Sequence, residues 1–142
     1  MTTTAEAAAA AAHLTKLGLV EGAVVQELGF DDDVDLDLRD RIMDHIGADL
    51  ADEDHGDVVD AVLFWHRDGD GDLVDAIVDG LTDLDDQGFI VLMTPRAGRG
   101  GHVEPAEIAE AATTAGLHVS GALTGSADWT GTRLVPPRAK KK

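Results

Sequence analysis

The sequence predicts an α/β layered fold, a mostly parallel sheet flanked by helices and ending in an antiparallel C-terminal hairpin. Three observations lead there. The runs at 58–65 and 89–93 are apolar at nearly every position, as in strands buried on both faces of a parallel sheet. Between such runs lie segments whose apolar residues recur every three or four positions. Glycine or proline punctuates most of the junctions.

Residues 1–12 are rich in Thr and Ala and read as a flexible N-terminal segment, or as a frayed helix leading into 13–17. Residues 22–29 form a short apolar strand closed by glycine. Residues 35–46 form a helix, with Leu38, Ile42 and Ile46 on one stripe. The strand at 58–65 follows. Asp72 then opens a helix reaching Gln87-Gly88. Its buried side is Leu73, Ile77, Leu81 and Leu84, and Asp75, Asp79 and Asp83 line the other. The clearest buried strand is 89–93. A Gly- and Arg-rich loop at 95–102 leads to a helix opened by Pro105, with Ala106, Ala109 and Ala112 as its close-packing face and Gly116 as its cap. A strand at 118–123, a turn at Gly125 and Asp128, and a returning strand at 129–135 complete the hairpin. One domain therefore spans 13–136, and 137–142 reads as a flexible basic tail.

Composition removes several functional classes. The chain of 142 residues is 44% hydrophobic but only 4% aromatic, so one core must be assembled from Val, Leu, Ile and Ala. It has no cysteine, which excludes disulfides and thiol chemistry. Residues 27–86 carry 22 acidic and 3 basic side chains (net −19), and the rest carries 6 and 8 (net +2). Such a field repels nucleic acid and anionic membrane surfaces, so neither is expected as a partner. With no apolar run long enough to span a bilayer and no basic-then-apolar leader, a cytoplasmic location is expected. The acidic block has two readings: a solvated face, or a face that meets a basic protein. Asp31, Asp32, Asp33, Asp75 and Asp79 are the candidate partner surface.

Residues 19–29 end in Glu27-Leu28-Gly29, an acid-apolar-Gly close. This stretch resembles the opening strand of class I methyltransferases, and 89–95 resembles their fifth strand. The resemblance implies a truncated Rossmann-like fold. A closer set of segments is Val24 to Gly29, Asp57 to Leu63, Gly101 to Pro105 and Asp128 to Leu134. Together they resemble an actinobacterial family of unknown function, numbered three-thousand-and-fifty-two, which implies the fold and no particular activity. Methyltransferases follow their first strand with glycines that let backbone approach the cofactor. Here Gly29 is followed by Phe30-Asp31-Asp32-Asp33. The expectation is a degenerate domain with no catalytic residues, no cofactor and no appreciable affinity for S-adenosylmethionine, acting as a binding or regulatory module. The G-x-G-x-x-G of dinucleotide binding is missing as well.

The runs at 31–37 and 68–72 alternate carboxylates in the manner of calcium loops, but both lack Gly at the sixth position. No metal site is therefore expected, and Asp70 or Asp72 reads instead as a helix cap. One convergence remains. Ligands of open α/β sheets bind outside the carboxyl ends of the strands. Trp65, His66, Arg96, Arg99, His102 and Trp129 all fall at that edge. They are the candidate site for a small molecule or anion, with core packing of both tryptophans as the alternative.

Overall fold

The computed structural model describes residues 4–124 and 126–137. Gly125 of the turn and the basic tail from Arg138 onward lie outside the described residues. The elements run α1 (Thr4–Leu17), β1 (Val25–Leu28), α2 (Leu36–Ile46), β2 (Val59–Trp65), α3 (Leu73–Gly80), β3 (Leu84–Pro95), α4 (Pro105–Thr114), β4 (His118–Leu123) and β5 (Trp129–Val135). The sheet order is β1-β2-β3-β5-β4. β1, β2 and β3 are parallel, and β5 runs antiparallel to both β3 and β4. This is the mostly parallel sheet with an antiparallel terminal hairpin that the sequence predicts. No described helix is long and apolar enough to cross a membrane.

Alternation along the two central strands sorts the core into two layers. Ala61, Leu63 and Trp65 of β2 and Phe89, Val91 and Met93 of β3 pack with Leu14 and Leu17 of α1 and Leu38, Ile42 and Ile46 of α2. Val62, Ile90 and Leu92 pack on the other face with Leu73 and Ile77 of α3 and Ile108, Ala111 and Ala112 of α4. Central strands covered on both sides need no polar face, hence their near-continuous apolar sequence.

Two details differ from the sequence expectation. α3 ends at Gly80, so Leu84 belongs to β3 and Asp83 lies outside the helix. Leu81 N–H closes the last turn on Val78 O at 3.0 Å, and Val59 N–H then takes Asp83 O at 2.8 Å. Pairing with β2 thus wins over continued helix. Gly80 suits the close crossing there, since a Cβ would lie 3.1 Å from Ile90 Cδ1. In α4 the buried face is Ile108, Ala111 and Ala112, while Ala106 and Ala109 are exposed. The larger Ile108 sets the rotation of the helix because it buries the most apolar area.

The connection from β1 to β2 is unusual. β1, β2 and β3 follow one another in the same direction, yet α2 and α3 pack on opposite faces. Two simple right-handed crossovers would put both helices on one face. After α2 the chain instead passes the outer edge of β1. There Ala51 makes a parallel bridge to Gln26, with Ala51 N–H to Val25 O at 2.8 Å and Glu27 N–H to Ala51 O at 2.7 Å. Gln26 Nε2 then donates to Asp52 O at 3.1 Å as the chain turns toward the α3 face. Helical connections leave β1 and β2 toward opposite faces, and their carboxyl ends form a switch point of the kind where ligands of such sheets bind.

Asp75 and Asp79 are exposed one turn apart on α3. Asp79→Asn should stabilise the protein by a few tenths of a kcal/mol, because it removes both an i, i+4 repulsion and a negative charge near the helix C-terminus. Asp75→Asn should be nearly neutral, since the same relief is offset by a lost charge in the first turn. Urea unfolding of the two variants checks the order. Gly29 has φ +74° and a Cβ there would lie 2.1 Å from Trp65 O. Gly29→Ala should therefore cost more than about 2 kcal/mol in the same assay.

Candidate functional site

Glu27, two residues before Gly29, faces inward. Its Oε2 and Oε1 accept from Arg39 Nε and Nη2 at 2.6 and 2.8 Å, and Oε2 also accepts from Trp65 Nε1 at 2.9 Å. The Arg39 guanidinium lies 4.7 Å from the centroid of the Phe30 ring. Both charged groups are consumed in joining β1, α2 and β2.

Arg67 does the same on a larger scale just beyond β2. Its Nη1 donates to Gly29 O at 3.0 Å, Trp65 O at 3.2 Å and Asp70 Oδ2 at 3.1 Å. Its Nε and Nη2 grip the two oxygens of Asp33 at 3.0 and 2.5 Å. The guanidinium carbon sits 5.2 Å from the centroid of a Trp129 ring. Hydrogen bonds from Arg67 hold the Asp33 carboxyl below its ordinary range, against a smaller opposing effect of burial. Trp129 Nε1 donates to Asp33 O at 3.1 Å. Asp35 caps α2 through Oδ1 and accepts from Ser126 Oγ at 2.6 Å through Oδ2. The 30–35 loop is thereby fastened to β2 and to the start of β5.

Both tryptophans lie at the carboxyl edge, with ring centroids 4.9 Å apart and planes at 82°. They are 0% and 1% exposed, so they are core residues of the α1–α2 layer rather than the walls of an open site. The arginine stacked on Trp129 is Arg67. Arg99 Nη1 donates to Asp128 O at 3.1 Å, and Arg96 N–H takes the same carbonyl at 3.0 Å. His102 is held between Pro95 O at 2.8 Å and Glu104 Oε2 at 2.9 Å. The Pro95 carbonyl first, and then Glu104, raise its pKa. Thus Arg96, Arg99 and His102 share the 95–102 loop, and none of the three lines the groove that His66 lines.

His66 faces a groove on the α3 side of the switch point. The groove holds about 740 Å³, within the usual range of ligand sites. Its inner wall includes Gln26, Leu28, Phe64, His66 and Ala76. Around it stand seven carboxylates, those of Asp31, Glu53, Asp70, Asp72, Asp75, Asp79 and Asp83. Asp31, Asp75 and Asp79 of the sequence-predicted partner surface therefore converge on one groove. Asp33 is committed to Arg67, and Asp32 is exposed beside it. Asp72 caps α3 by accepting Asp75 N–H at 3.0 Å, and Asp70 accepts Arg67 N–H at 3.0 Å. Among the described residues no cluster of His, Asp and Glu is arranged to hold a metal ion.

His66 is 3% exposed over the whole residue and its backbone N–H donates to Met93 O at 2.8 Å, while its ring makes no hydrogen bond to any described residue and keeps its nitrogens open to the groove. The ring also meets Phe64 edge-on, with centroids 6.3 Å apart. Burial, more than any neighbouring charge, lowers its pKa. The imidazole is consequently neutral at physiological pH and offers an acceptor nitrogen to the groove.

Arg67, Glu53 and Asp70 were not singled out as site residues from the sequence. Arg67 carried a usable signal, as one of three basic residues within the acidic block. Glu53 had none, because only the detour past Ala51 brings it to the groove.

Among solved structures, the fold is similar to a S-adenosylmethionine-dependent methyltransferase from Aquifex aeolicus. The TM-score is 0.62 at 11% identity, covering 88% of each chain. It is also similar to magnesium protoporphyrin IX methyltransferase from Synechocystis PCC 6803, at TM-score 0.56 and 11% identity, covering 92% of this chain and 77% of that one. These likenesses support a Rossmann-like, methyltransferase-like fold. Uncharacterised proteins of Mycobacterium tuberculosis and Mycobacterium bovis are 45% identical over 128 residues, covering 90% of this chain and 80% of theirs. A family model matches residues 14–138, and the chain belongs to that family, the actinobacterial Protein of unknown function (DUF3052).

Proposed function

We propose that this protein is a non-catalytic binding module on a methyltransferase-like fold, cytoplasmic, and directed at a basic protein rather than at nucleic acid or membrane. The observation that carries this reading is the Arg67 clamp. In methyltransferases, glycines after the first strand leave backbone open for a cofactor. Here the corresponding stretch is Phe30 to Asp33, with Phe30 under Arg39 and Asp33 gripped by Arg67. Gly29 O, the first carbonyl beyond β1, is already taken by Arg67 Nη1. A ligand approaching that carbonyl must first displace a guanidinium that makes five hydrogen bonds to four residues.

The alternative, an anion or small-molecule site, draws on the groove of about 740 Å³ and on Arg96 and Arg99. The groove's seven carboxylates disfavour an anion there, and Arg99 is turned to Asp128 O.

Calorimetric titration with S-adenosylmethionine should give no binding heat at micromolar concentrations. A micromolar dissociation constant would restore an enzyme and overturn the module. Arg67→Ala should cost about 1–2 kcal/mol in urea unfolding, because it leaves Trp65 O without this donor, removes the guanidinium packed on Trp129 and frees the 30–35 loop from Asp33.

A further inference from the structure

We propose that the groove between β1, β2 and α3 is a docking site for a basic peptide segment of a partner protein, with one arginine side chain of that segment entering against His66 and Phe64. The inference rests on the reading of the protein as a binding module, and locates its contact.

Charge selects the sign of the occupant. Seven carboxylates surround the groove, and the one cation in its lining, Arg67, is saturated by Asp33, Asp70 and two carbonyls. An occupant bringing positive charge relieves repulsion that the folded chain otherwise carries.

His66 selects the kind of donor. The residue is 3% exposed and lines the groove, and its ring, unlike its backbone N–H, has no hydrogen-bond partner among the described residues. No buried side-chain nitrogen or oxygen among the described residues lacks a partner, so the unbonded ring nitrogens open onto the groove, where desolvation keeps the ring neutral and leaves it an acceptor facing the occupant. A guanidinium supplies several donors in a fixed plane, enough to reach the imidazole and one of the rim carboxylates together. Its flat, weakly hydrated face also suits the half-buried Phe64 ring beside His66.

Shape favours a chain over a small cation. The acids are strung along the groove, from Asp72 at the start of α3 to Asp83 after its end. At about 1.5 Å per helical residue the α3 part alone spans roughly 10 Å. An extended peptide can place successive basic side chains along such a rim.

The test uses the full chain and a fluorescent decapeptide of alternating arginine and glycine, followed by anisotropy at low salt. Micromolar binding is expected, weakening about tenfold or more between about 50 and about 300 mM salt as counterions screen the rim. Asp75→Asn with Asp79→Asn should weaken it at least fivefold. Asp49→Asn with Asp86→Asn, exposed acids outside the groove, should change it less than twofold. His66→Phe should weaken binding about tenfold while His66→Gln, which keeps an acceptor, largely retains it. No binding, equal losses in the two acid pairs, or spermine binding as tightly as the peptide would each overturn the proposal. Silence toward both the peptide and S-adenosylmethionine rejects this groove alone, whereas binding of S-adenosylmethionine rejects the module reading itself.

Discussion

The geometry of the carboxyl edge depends on the guanidinium of Arg67. It joins the end of β1 through Gly29 O, the end of β2 through Trp65 O, and the 30–35 loop through Asp33. Its face lies against Trp129 at the start of β5. A lysine could supply the charge but not the planar fork that serves five acceptor oxygens on four residues at once. The guanidinium itself is mostly buried although its carboxylate partners Asp33 and Asp70 reach solvent, and without it the carbonyl of the fully buried Trp65 would lose a donor. The neighbouring Glu27–Arg39–Trp65 set ties β1, α2 and β2 together in a similar way.

This packing divides the edge into two regions of different character. On the α1–α2 side, the arginine, the two tryptophans and the capped start of α2 form a closed block with its polar groups paired. On the α3 side the chain returns past Ala51 without a helix to cover β1, so Gln26, Leu28 and Phe64 are left beneath an open, acidic groove. Closure on one side and openness on the other come from one topological fact, the reversal of the connection around β1.

Much of the fold was legible because its signals are local. The unbroken apolar runs located β2 and β3, and the Leu38–Ile42–Ile46 stripe located α2. The end of α3 was not, because Leu81 and Leu84 continue a helical spacing and only the long-range bond from Val59 to Asp83 decides against it. The tryptophans were placed at the correct edge by strand direction alone, and their mutual contact followed from the antiparallel hairpin. Which arginine would meet Trp129 was not legible. That depends on the fold of the 30–35 loop, whose sequence of consecutive aspartates has no periodicity to read.

The outer edge of the sheet is where a shortened fold of this kind is exposed to trouble. β1 is the outermost strand on its side, and an unpaired outer flank would template pairing with another chain. The flank is only four residues long, is already bridged by Ala51, and is followed by Asp52, Glu53 and Asp54. At the opposite end β4 carries a register irregularity between Val119 and Ala122, with Gly121 at φ +119°. A bulge there spoils the straight ladder that a second molecule would need. The two margins are guarded by different means, like charge on one and a broken hydrogen-bond register on the other.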